Sequence, residues 1–153
     1  MSTSLSPCPR SVIVTRLRAA GCIFAEDEAQ LLICAARTPG DLAAMVDRRA
    51  AGLPLEHVLG WAEFYGLRIA VDPGVFVPRR RTELLVRQAA ELASQAAGPA
   101  DLVAGQAIVG PRVVVVDPCC GSGAVGAALA AVLDRVELYA IDIDPAAVRC
   151  ARR

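Results

Sequence analysis

Apolar and polar residues recur with a helical period along the first third of the chain. Segments 11–20 and 25–36 place apolar residues three and four positions apart, and a third such segment follows Thr38-Pro39. Gly21 is typical of a helix end, and the acidic residues 26–28 favour a helix start. We predict a bundle of three short helices after a disordered, Ser/Pro-rich start at residues 1–10. The apolar stripe of the third helix is expected to contain Leu42, Met45, Val46, Ala50 and Leu53.

After Pro54 the pattern changes to one that is typical of strands. Residues 61–71 hold two strand-like runs around Gly66, which predicts a hairpin. A turn is expected at residues 72–74 and an extended segment at 75–78, because a residue before proline avoids the helical region. A helix is predicted from Thr82, its cap, to Ala97, and residues 98–111 are predicted to be a small-residue linker. The apolar stripe of that helix is expected to contain Leu85, Ala89, Leu92 and Ala96.

The segment Val113-Val-Val-Val-Asp-Pro-Cys-Cys-Gly-Ser-Gly123 organises the second half of the pattern. Its valines predict a strand buried on both faces, as in a parallel sheet. Gly121 and Gly123 favour a tight turn in which the backbone approaches a ligand, and an Ala-rich helix over 124–133 follows. A second strand, 136–141, ends at Asp142. Strand, glycine turn, helix, strand and acid in this order predict the nucleotide-binding half of a doubly wound sheet.

Asp117 and Asp142 help to predict which nucleotide would bind at the glycine turn. Gly126 completes a G-x-G-x-x-G spacing, so the spacing leaves NAD open. Asp117, just before the turn, disfavours a pyrophosphate, because an anion there would be repelled. S-adenosylmethionine carries a sulfonium, an ammonium and a ribose, and these groups suit Asp117 and Asp142 together.

Composition narrows the class of protein. The chain has 153 residues, of which 55% are hydrophobic, and 16 basic residues balance 16 acidic ones. The zero net charge disfavours nucleic acid as a partner, and no apolar run reaches the roughly 20 residues that span a bilayer. We expect a cytoplasmic protein without a membrane partner. The six cysteines are expected to be reduced thiols, and a single histidine without a C-x-x-C pair disfavours a zinc site.

Several motifs together resemble the release-factor glutamine N(5)-methyltransferases. Pro54-Leu-Glu-His-Val-Leu-Gly60, Glu63-Phe64, Val77-Pro-Arg79 and Thr82-Glu83 resemble the family's linker and the motif that follows it. The three-helix start resembles the bundle that docks the family's protein substrate. Asp117-Pro-Cys-Cys-Gly-Ser-Gly123 is similar to its cofactor loop, and Asp142-Ile-Asp-Pro145 to its ribose-binding strand end. The likeness covers nearly the whole chain, and an actinobacterial-type sister group matches best.

The resemblance implies a set of cofactor-binding residues and no catalytic one. Cys119 stands where the family usually has glycine, and Pro78-Arg-Arg80 replaces Pro-Arg-Pro. The family's Asn-Pro-Pro-Tyr-type motif, which holds the amide to be methylated, follows a fourth strand, and the 153 residues end before it. The residues implied to bind S-adenosylmethionine are Arg79, Thr82, Asp117, Pro118, Cys119, Cys120, Gly121, Ser122, Gly123 and Asp142.

These observations predict an α/β protein. Its parts are a substrate-docking bundle (1–55), a hairpin and linker (56–81), and the first part of a Rossmann-like S-adenosylmethionine methyltransferase sheet, truncated (82–153). The expected activity is methylation of a protein glutamine, with a peptide-chain release factor or a related protein as acceptor. The fragment alone is expected to be inactive and poorly soluble, because the first strand would present an open edge. Two alternatives remain open: a nucleic-acid amino-methyltransferase of the same fold, and a non-catalytic binding module with a vestigial half-sheet.

Overall fold

The computed structural model describes residues 9–97, 102–103, 106–107 and 112–153. The described chain divides into two compact units, one up to Gly60 and one from Trp61 to Arg153. The sequence-based domain boundaries at 55 and 81 remain a prediction. Most of the Ser/Pro-rich start that was predicted to be disordered lies outside the described residues.

The N-terminal unit consists of helices that pack their apolar faces together. They are α1 (Arg10–Ala19), α2 (Ala25–Ala35), α3 (Pro39–Ala50) and a short α4 (Leu55–Leu59). Thr38 caps α3, because its Oγ1 accepts a hydrogen bond from the backbone N–H of Asp41 at 3.0 Å. The predicted three helices are therefore present. Their buried core contains Ile13, Leu17, Cys22, Ala25, Ala29, Leu32, Met45, Val46 and Val58.

Helix α4 was not predicted, and the apolar stripe of α3 is shorter than expected. Pro54 starts α4 because its carbonyl accepts hydrogen bonds from the N–H groups of His57 and Val58, at 3.1 and 3.2 Å. A proline needs no donor at a helix start, so it is tolerated there. Leu53 lies beyond the end of α3 and is exposed, so its assignment to the buried stripe was wrong.

A carboxylate and a guanidinium form a nearly buried pair between α2 and α3. Glu28 Oε2 accepts from Arg49 Nε at 2.6 Å, and Glu28 Oε1 accepts from the NH2 group of Arg49 at 3.0 Å. The two side chains are 11% and 19% exposed, respectively. The NH1 group of Arg49 also donates to the carbonyl of Leu53 at 3.1 Å. The hydrogen bonds and charge of Glu28 raise the pKa of Arg49, so the guanidinium stays charged.

The second unit begins with the predicted hairpin. Strands β1 (Trp61–Phe64) and β2 (Leu67–Ala70) pair antiparallel around Tyr65 and Gly66, whose φ angles are 53° and 74°. Two positive φ angles in a two-residue loop form a type I′ turn, which matches the twist of the strands. The carboxylate of Glu83 accepts a hydrogen bond from the Tyr65 N–H at 3.2 Å. This bond fastens the turn to the start of the next helix.

That helix, α5 (Glu83–Ala97), buries a different face from the one predicted. A 3₁₀ turn at Arg80–Thr82 precedes it. Val86 and Ala93 are buried, whereas Leu85 and Leu92 are exposed. The prediction was wrong for Leu85 and Leu92, because the hairpin and the following helix cover the side of α5 that carries Val86. The cluster around Val86 contains Phe64, Ile69, Ala124, Ala128 and Leu129. Ala89 packs against that cluster as predicted, and the side chain of Ala96 lies outside what the structure describes.

Two parallel strands joined by a helix complete the unit. Strand β5 (Val113–Pro118) pairs with β6 (Val136–Ile141), and α6 (Ala124–Val132) connects them; α7 (Pro145–Ala151) follows β6. This is the predicted strand–turn–helix–strand order. Two short antiparallel strands, β3 (Leu102–Val103) and β4 (Gln106–Ala107), lie within the predicted linker. The rest of that linker falls outside the described residues.

The β5–β6 sheet is covered on one face only. Val114 and Val116 are 59% and 57% exposed, and Tyr139 and Ile141 on β6 are exposed on the same face. The prediction that β5 is buried on both faces was therefore wrong. Helix α6 packs on the other face, and in the described part of the chain nothing covers the first. None of the described helices is long and apolar enough to cross a membrane.

Candidate functional site

A pocket of about 370 Å³ lies beside the C-terminal ends of β5 and β6. Pockets for small molecules span roughly 300–1,000 Å³, so a nucleotide-sized ligand is within range. Eight of the ten residues implied by the resemblance line it, and Pro118 and Gly123 do not. The lining residues are Phe64, Phe76, Pro78, Arg79, Thr82, Asp117, Cys119, Cys120, Gly121, Ser122, Ala124, Val125 and Asp142.

The loop between β5 and α6 turns through three residues in the left-handed region. The φ angles of Cys119, Gly121 and Gly123 are 61°, 56° and 75°. The N–H of Cys120 donates to the Ile141 carbonyl at 3.0 Å, and the N–H of Gly123 donates to the Cys120 carbonyl at 2.8 Å. The end of β6 therefore holds the loop in place. Cys119 occupies a conformation that favours glycine, which is the residue that the family usually has there.

The missing Cβ has two different consequences at the glycines of the loop and of α6. A Cβ on Gly121 would meet no atom within 4 Å, so the backbone there borders open space. A Cβ on Gly126 would lie 2.6 Å from Leu138 Cδ2, and a Cβ on Gly123 would lie 3.0 Å from the Cβ of Ala151. Gly123 and Gly126 thus permit packing within the fold, whereas Gly121 leaves space for a ligand.

Asp142 ties the second strand end to the loop. Its Oδ2 accepts from the Gly121 N–H at 2.8 Å, and its Oδ1 accepts from the Asp144 N–H at 2.9 Å. These backbone donors, first Asp144 and then Gly121, lower the pKa of Asp142 below its usual value. The side chain is therefore an ionised carboxylate that lines the pocket. Its bond to Gly121 was not predicted from the sequence.

The pKa of Asp117 is raised, whereas that of Asp142 is lowered. Asp117 Oδ2 is the one buried side-chain nitrogen or oxygen, among those described, that lacks a hydrogen-bond partner. Burial raises the pKa of Asp117, the Gly126 backbone opposes this, and the charge of Asp142 adds to the increase. An unsatisfied buried acceptor costs about 1–3 kcal/mol, so a donor supplied by a ligand would be stabilising.

The two cysteines of the loop differ in environment. Cys119 is exposed and Cys120 is half-buried, and both thiols are free. Burial and the carboxylates of Asp117 and Asp142 raise the pKa of the Cys120 thiol, so it stays protonated at neutral pH. No group of three or more potential metal ligands is assembled within the described residues.

The opposite side of the pocket comes from the hairpin and from the segment before α5. Phe64 is fully buried, and Phe76 is exposed with the guanidinium of Arg79 5.5 Å from its ring centre. Sequence reasoning assigned Arg79 and Thr82 to this side through the resemblance and missed both phenylalanines. Their positions inside the motifs around Glu63-Phe64 and Val77-Pro-Arg79 were the available signal.

The fold and pocket define a class of protein. A parallel strand–helix–strand unit with a glycine turn, an acid before the turn and an acid after the second strand is the Rossmann-like arrangement of methyltransferases.

Comparisons with known proteins agree with this class. No family model matches the chain. The chain is 39% identical over 115 residues to the release factor glutamine methyltransferase of Corynebacterium glutamicum. This match covers 75% of this chain and 37% of that protein. The protein of the same name from Bifidobacterium longum is 31% identical over 160 residues, a match that covers 91% of this chain and 50% of that protein. That from Streptomyces coelicolor is 38% identical over 109 residues, or 71% and 34%.

The chain thus spans between about a third and half of the length of these curated relatives. The resemblance to the release factor glutamine methyltransferase family is confirmed, for part of the length of its members.

Proposed function

We propose that this chain binds S-adenosylmethionine in the pocket beside β5 and β6 and serves the methylation of a protein glutamine. The observation that carries the proposal is the pairing of two unlike carboxylates across one glycine loop. Asp117 offers an unpartnered oxygen, and Asp142 offers an ionised carboxylate. The names of the relatives support methyl transfer to a release factor.

The residues of the pocket fit this cofactor. An ammonium or other N–H donor would satisfy Asp117 Oδ2. Both oxygens of Asp142 retain lone pairs beyond their backbone bonds, so the carboxylate can also accept from ribose hydroxyls. Open space beside Gly121 admits a ligand against the loop backbone.

When bound, S-adenosylmethionine supplies a methyl group activated by its sulfonium. The chain's own residues bind and orient it. Asp142 fixes the loop through Gly121, and the buried Phe64 gives the pocket an apolar wall that excludes water. The residues proposed to contact the cofactor are Arg79, Thr82, Asp117, Cys119, Cys120, Gly121, Ser122 and Asp142. Pro118 and Gly123 do not line the pocket, so we propose that they only shape the loop.

The acceptor is proposed to be a glutamine of a peptide-chain release factor or a related cytoplasmic protein, docked by the N-terminal helices. An amide nitrogen is a poor nucleophile because its lone pair is delocalised into the carbonyl. Catalysis would therefore depend on orientation of the amide. We assign no catalytic residue within residues 1–153.

Replacing Asp142 by alanine is expected to weaken S-adenosylmethionine binding by the 153-residue chain about tenfold or more. The variant loses the acceptor for ribose and the bond that holds Gly121, and charge-assisted hydrogen bonds have effects of about this size. Ligand-observed NMR or calorimetry measures the change. Asp134→Ala, an exposed aspartate between α6 and β6, is the matched control and should bind normally. Unchanged affinity in Asp142→Ala would contradict the ribose assignment, and tighter binding of NAD would contradict the cofactor.

The chain by itself is expected to transfer no methyl group from labelled S-adenosylmethionine to a release factor. The groups that the resemblance assigns to the acceptor amide are not among its residues. Scintillation counting of reactions with a release factor, with RNA and without acceptor measures this. Transfer to RNA would favour the nucleic-acid alternative, and transfer to the release factor would show that the 153 residues suffice.

A further inference from the structure

Three consecutive arginines stand where the chain approaches α5. Arg79, Arg80 and Arg81 are all exposed, and the last two belong to the 3₁₀ turn before the helix. The resemblance gives Arg79 a role beside the cofactor and gives Arg80 and Arg81 none. By the same resemblance, Arg80 stands where the family usually has proline.

Among the residues that the structure describes, no carboxylate forms an ion pair with these guanidiniums. By contrast, a carboxylate pairs with each of Arg16, Arg18, Arg49, Arg112 and Arg153. The carboxylate next in sequence, that of Glu83, accepts from the Tyr65 N–H instead. Three adjacent positive charges repel one another, so an anionic partner from outside would be favoured.

Exposed apolar side chains adjoin the arginines. Leu84 and Leu85 are 57% and 56% exposed and follow Arg80 and Arg81 by one helical turn. Phe76, which is 67% exposed, lies under the guanidinium of Arg79. We call this set the arginine–leucine surface; it contains Phe76, Arg79, Arg80, Arg81, Leu84 and Leu85.

We propose that the arginine–leucine surface binds an acidic polypeptide segment that carries apolar side chains, on the protein that is methylated. Guanidiniums bind carboxylates in a bidentate manner, which fixes the orientation of a segment as well as attracting it. Phe76 and the guanidiniums can stack on bases, but the aliphatic Leu84 and Leu85 cannot, so the two leucines favour a polypeptide over RNA. Because Phe76 and Arg79 also line the pocket, a bound segment extends toward the cofactor site. The identity of the segment as part of the acceptor rests on the proposed function.

A binding experiment on the 153-residue chain tests the surface without requiring methyl transfer. The probe is a fluorescein-labelled peptide with glutamates and leucines around one glutamine, followed by anisotropy. The expected result is saturable binding that weakens with salt and weakens about tenfold with Arg80→Gln/Arg81→Gln, since each exposed ion pair changes the affinity by up to about fivefold. Arg149→Gln/Arg152→Gln removes two exposed arginines elsewhere in the same unit and is expected to bind as the unchanged chain does.

Further binding experiments distinguish an acidic polypeptide from other partners. The same peptide with lysine in place of each glutamate is expected not to bind, and Leu84→Ser/Leu85→Ser is expected to weaken binding without altering its dependence on salt. The proposal is overturned if Arg80→Gln/Arg81→Gln and Arg149→Gln/Arg152→Gln weaken binding equally. It is also overturned if the lysine peptide binds as tightly as the glutamate peptide, or if RNA of equal charge binds more tightly than that peptide. S-adenosylmethionine binding is measured on the same samples, so a failure of the cofactor assignment is seen separately from a failure of the surface.

Discussion

Gly121→Val is expected to abolish saturable binding of S-adenosylmethionine. Gly121 has a φ of 56°, and its Cβ position faces open space at the pocket. A β-branched residue in the left-handed region costs about 1–3 kcal/mol, and its methyl groups would occupy space that the ligand needs. The variant would also displace the N–H that Asp142 accepts from. Ligand-observed NMR measures the loss, with circular dichroism to show that the helices remain.

The control for Gly121→Val separates backbone strain from blockage of the pocket. Gly21 also has a positive φ, 87°, and a Cβ there would meet nothing within 4 Å. Gly21→Val should therefore carry a similar conformational cost in the N-terminal unit and bind the ligand normally. Gly121→Ala, which adds a single methyl group, should be intermediate. Normal binding by Gly121→Val would mean that the ligand does not lie against this loop.

Arg49→Ala is expected to destabilise the N-terminal helices by about 3 kcal/mol. It leaves the carboxylate of Glu28 nearly buried without its counter-charge, a change that typically costs about 3–5 kcal/mol. We expect the lower end because both side chains retain some contact with water. Hydrogen exchange of the amides in α2 and α3 measures the effect and reports on this unit by itself.

The chain provides a matched control for Arg49. Arg16 pairs with Asp47 at 2.5 Å, but the two side chains are 54% and 58% exposed. Arg16→Ala should cost less than about 1 kcal/mol, as for other surface pairs. Glu28→Leu/Arg49→Met, which replaces the whole pair by apolar side chains, should recover most of the lost stability. Equal effects of Arg49→Ala and Arg16→Ala would contradict the assignment of a buried pair.

Local patterns were enough to predict most elements of the second unit. The valine run and Asp142 predicted both parallel strands, because β-branched residues and a terminal acid act over a few positions. The face that α5 buries could not be predicted in this way. The hairpin and α6 determine that Val86 rather than Leu85 is covered, and these contacts are distant in sequence. Burial of β5 on both faces was inferred from the run of four valines alone, and the exposed Val114 and Val116 contradict it.

The candidate site was predictable as a set of residues but not as a set of bonds. The glycine loop and its flanking acids are adjacent in sequence, so the motif indicated them. The roles of the two acids differ for reasons that only the fold reveals. The carboxylate of Asp142 accepts hydrogen bonds from two backbone N–H groups, whereas Oδ2 of Asp117 has no hydrogen-bond partner within the described residues. The buried Phe64 reaches the pocket through a hairpin that precedes the loop by about fifty positions.

The unpartnered oxygen of Asp117 makes the pocket a coupled site for protons and ligand. Its raised pKa means that the folded chain holds this proton at pH values where the unfolded chain has lost it. The stabilising contribution is complete below about pH 3.9, the value for a free aspartate, and is lost as the pH rises through the folded pKa. A cationic donor bound beside Asp117 would lower that pKa again and expel the proton. In the pH range in which Asp117 is protonated in the folded, unbound chain, binding of such a ligand would therefore release a proton into solution, and acidification would oppose binding.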